Sequence, residues 1–188
     1  MRIFLLFIML LFLASTTQAV EALTPLNEKL YYEASFAGVN IGKASIEIDS
    51  QPDKASVICD IVSSGILALF VKHSSHTTLT ATGSDFTYPD RTYESHYQTK
   101  KKARSVKLVY KDGRIISQDI QPPENPEKRK AVPDVDKNSA YDLMSFLLQI
   151  RKEIAGARQN GKSSFTINGY DGRRLTQVDF TISGETDI

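Results

Sequence analysis

The fold is decided by one stretch, LYYEASFAGVNIGKASIEI, which occupies residues 30–48. Apolar and polar residues alternate through residues 30–36 and again through residues 44–48. Strict alternation is typical of a strand that buries one of its faces. Gly38 separates the two runs at a point where a turn would reverse the chain. The stretch therefore predicts an antiparallel β-hairpin.

The same alternation continues along the chain on the C-terminal side of this hairpin. A turn at residues 51–54 leads into a third strand, and Asp112-Gly113 is a pair suited to a tight hairpin turn. We therefore predict a mainly β (α+β) fold, in which a meander of antiparallel hairpins forms the sheet. The further strands are expected at residues 55–61, 76–81, 92–99, 105–110, 115–120, 163–168 and 174–182.

One segment, residues 140–157, has the pattern of an amphipathic helix. Its apolar residues recur at spacings of four, three and four, which builds a single stripe from Leu143 to Ile154. Ser139 is the expected N-cap, with Asp142 in the first helical turn. The apolar segment 65–71 fits either a short helix or a strand crossing, and the proline-rich stretch 121–138 is expected to be a surface loop.

The first 19 residues have the organisation of a secretory signal peptide. Arg2 precedes an apolar run over residues 3–14, and small residues follow up to Ala19. Cleavage after residue 22 is an alternative, and so is retention of the leader as an anchor, although twelve apolar residues are too few to span a bilayer. We predict export to the periplasm and a single β-rich domain over residues 20–188.

Charge and cysteine content narrow the classes of partner. Arg2 is the only charge in the leader, so 22 basic and 22 acidic residues would remain after cleavage. This balance argues against nucleic acid as a partner. Cys59 is the only cysteine, lies in a strand-like run and is expected to be a small buried apolar residue.

Histidine and aspartate spacings do not predict a metal site. His73 and His76 are three residues apart, which places them on opposite faces of a strand. A calcium-loop pattern beginning at Asp134 fails at Ser139 and Ser145, where glycine and glutamate are required. We therefore expect neither a metal nor a cofactor.

The strongest charge cluster is the run Lys100-Lys101-Lys102, with Arg104 and Lys107 beyond it. A solvated hairpin end is the favoured interpretation, and contact with anionic lipid head groups or an acidic partner is the alternative. Nucleophile elbows, phosphate loops and dinucleotide fingerprints are absent from the sequence. The chain is therefore not predicted to be an enzyme, and a hydrolase ranks third among the hypotheses.

Two stretches resemble a bacterial family, domain-of-unknown-function family 3108. One is YYEASFAGVNIGKA at residues 31–44, with Gly38 and Gly42, and the other is the helix pattern of Asp142, Ser145 and Arg151. The resemblance spans residues 30–182. It implies an exported envelope protein of Gram-negative bacteria, with a curved sheet or half-barrel similar to lipoprotein-carrier folds and a helix near its concave side.

That family has no established activity, so the resemblance carries over no catalytic residue. A structural role is the default interpretation of the patterned residues: Asp142 suits a helix start, and Arg151 would anchor the helix to the sheet. Family members continue with further strands, which leaves two alternatives for the C-terminus of this chain. Either a sheet edge is exposed or covered by another chain, or the sequence stops short.

Two functions rank above a hydrolase for such a protein. The leading hypothesis is the binding of a lipid or other apolar ligand in the curved sheet. The rival is an envelope interaction or assembly protein with a filled core, which would contact another envelope protein or the membrane surface. The residues that would line an apolar ligand, and that would equally serve a packed core, are Tyr32, Phe36, Ile46, Ile48, Leu143, Phe146 and Leu147.

Overall fold

The computed structural model describes residues 26–65, 68, 73–82, 88–125, 127, 130–160 and 164–182. The predicted signal peptide lies outside the described residues, and so does most of the apolar segment 65–71. The last residues of the chain, 183–188, lie outside them as well.

The main sheet contains seven antiparallel strands whose order in space is their order along the chain. The predicted meander is therefore confirmed, and the sheet does not close on itself. A smaller hairpin and two helices complete the described fold. The strands of the main sheet are β1 Leu26–Phe36, β2 Val39–Gln51, β3 Lys54–Ser63, β4 His73–Thr82, β5 Asp90–Thr99, β6 Ala103–Lys111 and β7 Arg114–Gln121; the hairpin is β8 Ser164–Tyr170 with β9 Leu175–Thr181, and the helices are α1 Asp134–Asn138 and α2 Leu143–Asn160.

One face of the main sheet forms the core of the protein, and it is called the inner face below. A row of large side chains crosses five strands in register and is almost completely inaccessible to solvent. Burial of this row follows from period-two alternation, because each strand turns the same phase of its side chains inward. The row consists of Ile48, Val57, Leu79, Tyr93 and Leu108.

Helix α2 covers the inner face with the apolar stripe that the sequence predicts. Met144, Leu147 and Ile150 are buried in the same cluster as the strand residues. The helix begins later than predicted, at Leu143, and the prediction of Ser139 as its N-cap is wrong. Ser139 instead closes the short helix α1, where its hydroxyl donates to the carbonyl oxygen of Asp136 at 2.8 Å.

The late start of α2 has a long-range cause. Tyr141 forms an isolated parallel bridge with Gly169 of β8. Its backbone N–H donates to the carbonyl of Asn168 at 2.9 Å, and the N–H of Tyr170 donates to the carbonyl of Tyr141 at 2.7 Å. These bonds hold residue 141 in an extended conformation, so the helix cannot begin before Asp142.

The opposite, outer face of the main sheet is polar. Ion pairs join neighbouring strands on this face. Their N–O distances are 3.1 Å for Lys29–Glu47, 2.9 Å for Lys43–Glu33 and 2.6 Å for Lys107–Glu94. Such exposed pairs contribute little stability each. They keep one face of the sheet in water while the other face is covered by α2.

Candidate binding site

The predicted lining residues lie mostly in the packed interior. Ile46, Ile48, Phe146 and Leu147 are buried in one cluster. Tyr32 and Leu143 are partly buried and pack against that cluster.

Phe36 lies elsewhere, at the tip of the β1–β2 hairpin with 74% of its surface exposed. The pairing of the two strands shifts between Ala34 and Ser35, so that Ile41 has no partner residue on β1. A bulge of this kind interrupts the alternation of the strand that carries the extra residue, which here is β2. Phe36 is the last residue of β1 and pairs with Val39, which is also exposed, so the two side chains lie at the exposed end of the hairpin.

Little space remains between α2 and the β8–β9 hairpin. The cavity there has a volume of about 20 Å³ and is lined by residues that include Leu143, Phe146 and Val178. Sites for small apolar ligands have volumes of roughly 300–1,000 Å³. This cavity holds about one water molecule, so α2 and the β8–β9 hairpin pack closely against each other.

A buried ionic network fixes the start of α2 to the sheet. The Nε of Arg91 on β5 donates to Oδ2 of Asp142 at 2.8 Å, and Asp142 is completely buried. The other carboxylate oxygen accepts the backbone N–H of Ser145 at 2.9 Å, while the Ser145 hydroxyl donates to Oδ2 at 2.7 Å. Asp142 is therefore both the N-cap of α2 and the counter-ion of Arg91.

Two tyrosines complete the surroundings of this network. The guanidinium carbon of Arg91 lies 3.7 Å from the ring centroid of Tyr110, which is a cation–π distance. Burial raises the pKa of Tyr93 and of Tyr110 well above the ordinary value, and the nearby Asp142 carboxylate adds to both shifts. Both phenols therefore stay neutral, and the Asp142 carboxylate is the charged group that balances Arg91.

A second ionic contact ties the middle of α2 to the edge strand β1. Both terminal nitrogens of Arg151 donate to the carboxylate of Glu28, each at 2.8 Å. The side chains of Arg151 and Glu28 are 32% and 28% exposed. Solvent therefore screens this pair more than the Arg91–Asp142 pair. The expectation that Arg151 anchors the helix to the sheet is confirmed.

The two patterned glycines have backbone roles. Gly38 has a φ of +77° in the β1–β2 turn, a conformation that side-chain-bearing residues rarely adopt. A Cβ atom on Gly42 would lie 3.2 Å from the carbonyl oxygen of Val62 on the neighbouring strand. The first glycine therefore permits the turn, and the second permits close approach of β2 and β3.

A second depression has a volume of about 380 Å³ and lies across β3, β4, β5 and β6. Most of its lining residues alternate onto the outer face. Asp60, His76, His96 and Ser105 form one row across the four strands. Sequence reasoning missed this row because its members are brought together only by the strand register.

Within this row, Nδ1 of His76 lies 2.5 Å from Oδ1 of Asp60. The carboxylate therefore orients the imidazole ring and leaves Nε2 directed away from it. Across the described residues, no serine hydroxyl bonds to His76, and no cluster of three metal-ligating side chains is found in that same part of the chain. The depression is a polar surface feature that has an oriented histidine but no bonded nucleophile.

His73 lies on the opposite face of β4 from His76, as the strand interpretation predicts. It is buried, its ring contacts that of Tyr97 at a centroid distance of 4.7 Å, and burial lowers its pKa. Cys59 is also buried, and loss of solvation raises the pKa of its thiol to about 11. The expectation of a small buried apolar residue at Cys59 is confirmed, and the thiol is protonated at neutral pH.

The described residues include no helix that is both long and apolar enough to cross a membrane.

These features define a class: an open antiparallel meander whose inner face is filled by the protein's own amphipathic helix. The chain belongs to the family described as protein of unknown function (DUF3108), whose model matches residues 31–188. The resemblance seen in the hairpin and helix motifs is thereby confirmed. Neither the curated proteins nor the solved structures contain a match to this chain.

Proposed function

We propose that this protein is exported to the periplasm and acts there as a non-enzymatic interaction module of the cell envelope. Its inner face is a structural core in this proposal, and its recognition surfaces are the outer face and the ends of the sheet. Export is supported by the leader pattern of residues 1–19. The filled core favours this function over the carriage of a lipid or other apolar ligand.

One observation carries the proposal: α2 occupies the inner face and is tied down at two points. A lipid could enter only if α2 moved away, which would break the Arg91–Asp142 and Arg151–Glu28 contacts. Leaving a buried charge without its partner costs about 3–5 kcal/mol. Exposure of Met144, Phe146 and Leu147 would add a further cost of roughly 1.5–3 kcal/mol for each side chain.

The use of the reactive side chains also supports an interaction module. Asp142 and Ser145 bond to each other and to the backbone of α2. The Tyr88 hydroxyl donates to the carbonyl of Gln51 at 2.6 Å. The Cys59 thiol is buried and protonated. These groups stabilise the fold in positions where a substrate would not reach them.

Native mass spectrometry of protein purified gently from a periplasmic extract tests the proposal. We expect the mass of the bare polypeptide. A mass excess in the range of a fatty acid or phospholipid, lost on denaturation, would overturn the filled-core account and favour a carrier. Two variants extend the test: Asp142→Asn loosens α2, and Lys29→Gln alters only the outer face. Each should show only the mass of its own polypeptide. Lipid bound to Asp142→Asn but not to Lys29→Gln would show that α2 is a lid.

A further inference from the structure

Successive turns of the antiparallel meander lie alternately at the two ends of the sheet. The β1–β2 turn and the β5–β6 turn lie at one end, which is called the lysine end and comprises residues 36–39 and 100–102. The β2–β3 and β6–β7 turns lie at the other end, together with the start of β5. This second end is called the aspartate end, and its acidic residues are Asp53, Asp90 and Asp112.

The β1–β2 turn presents apolar side chains to solvent. Ala37 and Gly38 both have positive φ, +50° and +77°, as the two central residues of a tight type I′ hairpin turn do. The turn is flanked by the paired residues Phe36 and Val39, which are 74% and 43% exposed. A large aromatic residue at an exposed hairpin tip contributes nothing to the core.

The β5–β6 turn presents the lysine run on a formed loop. Thr99 holds this loop closed, because its N–H donates to the carbonyl of Lys102 at 2.8 Å and its hydroxyl accepts the N–H of Lys102 at 3.0 Å. All three lysines are exposed. No ion pair joins Lys101 or Lys102 to any residue in the described ranges, so their charges are available to a partner.

The aspartate end differs in charge, because its basic residues are matched by acids. Lys111 forms an ion pair with Asp90, whose carboxylate also accepts the N–H of Asp112. Lys54 and Arg114 lie at the same end as Asp53 and Asp112. The whole chain has a net charge of only +1, whereas residues 36–39 and 100–102 of the lysine end include three lysines and no acidic residue.

We propose that the lysine end docks on an anionic lipid surface, with Phe36 entering the head-group region and Lys100–Lys102 contacting phosphates. An apolar tip and a basic loop at the same end of the sheet form a combination that binds such surfaces, since insertion and charge attraction add. This inference rests on the proposed interaction function and specifies its partner. It places the polar outer face and the aspartate end away from the membrane.

A tryptophan reporter tests the proposed orientation, because the chain has no tryptophan of its own. Phe36→Trp places the probe at the lysine end, and Ile116→Trp places it at another exposed position, 65% accessible and near the aspartate end. With vesicles that contain phosphatidylglycerol, we expect a blue shift of the emission for Phe36→Trp and none for Ile116→Trp. A shift for both probes, or for neither, would overturn the proposal.

Co-sedimentation with the same vesicles tests the contribution of charge. Each basic residue at an anionic surface contributes about 5-fold in affinity, so replacing Lys100, Lys101 and Lys102 by glutamine should weaken binding about 100-fold. The matched control replaces Lys54, Lys111 and Arg114 by glutamine and removes the same charge from the aspartate end. It should weaken binding less than 5-fold. Equal losses in the two triple variants would contradict a defined docking surface.

The two proposals can fail separately. Bound lipid in native mass spectra would overturn the filled core, whatever the vesicles show. Unchanged vesicle binding in the lysine variant, or binding of the wild type to neutral phosphatidylcholine vesicles alone, would overturn the docking surface and leave the filled core standing. Capture of an acidic envelope protein by the lysine end without vesicle binding would likewise overturn the lipid proposal.

Discussion

Arg91 and Asp142 are 51 residues apart in the chain, and their side chains form an ion pair in which only 7% and 0% of the respective side-chain surfaces are exposed. The same carboxylate caps α2, so one residue determines both where the helix begins and where it docks on the sheet. Buried pairs add little net stability compared with apolar packing, whereas removal of one partner is costly. We infer that this pair specifies the position of α2.

Replacement of Asp142 should therefore be strongly destabilising. Asp142→Asn keeps a capping side chain but leaves Arg91 buried without a counter-ion, and we expect a loss of about 3–5 kcal/mol in the free energy of unfolding. Asp142→Ala should lose about 1 kcal/mol more, because the cap is removed as well. Urea denaturation measures both. Asp134→Asn, in the first turn of α1 and 91% exposed, is the control and should have no measurable effect; a comparable loss there would contradict the assignment.

Two glycine substitutions should have opposite effects. Gly172 has a φ of +87°, and a Cβ at this position would lie 2.4 Å from Cγ1 of Val106. Backbone strain and overpacking each cost about 1–3 kcal/mol. Because the two effects add, Gly172→Ala should lower the free energy of unfolding by more than either effect alone. Gly156 lies inside α2 with open space around its Cβ position. Gly156→Ala should raise stability by about 0.5–1 kcal/mol, and destabilisation by this change would show that α2 packs differently.

The thiol of Cys59 should be unreactive in the folded protein. Burial raises its pKa to about 11, so both access and ionisation are low at pH 8. Ellman's reagent should label it only as fast as the protein unfolds, and immediately in denaturant. The variant Cys59→Ala with Ser56→Cys moves the thiol to an exposed position of the same strand and should react at once without denaturant. Rapid labelling of the wild type would contradict the packed inner face.

His73 should make stability depend on pH. Burial holds its folded-state pKa below the ordinary value of 6.5, so the unfolded chain binds more protons as the pH falls through about 6.5. The free energy of unfolding should then decrease between pH 7 and pH 5. His73→Gln should flatten this slope. An identical slope in the His73 variant would contradict the burial effect.

Much of the fold could be predicted from the sequence, because each strand of the meander buries one face and therefore alternates. Alternation places Tyr32, Ile46 and Cys59 in strands that bury part of their surface, and the stripe from Leu143 to Ile154 predicts a helix; the structure has both. Such patterns are local, and adjacent antiparallel strands need only a short turn between them. The order of the seven strands followed from the same rule.

The parts that could not be predicted depend on contacts between distant residues. The bridge from Tyr141 to Gly169 delays the start of α2, and nothing near Tyr141 in the sequence signals it. Arg91 appears in the sequence as one more strand residue, although it is the buried counter-ion of Asp142. The outer row that contains Asp60 and His76 depends on register across four strands. The exposure of Phe36 likewise depends on how far the β1–β2 hairpin extends beyond the covered part of the sheet.

The central claim is that α2 is a permanent part of the core. Hydrogen–deuterium exchange of the α2 amides, with and without added lysophospholipid, tests it most directly. We predict that residues 144–155 exchange as slowly as β5, at the rate of global unfolding, and that lipid leaves this protection unchanged. Exchange of α2 that is much faster than that of β5, and that slows or speeds when lipid is added, would contradict the claim and identify α2 as a lid.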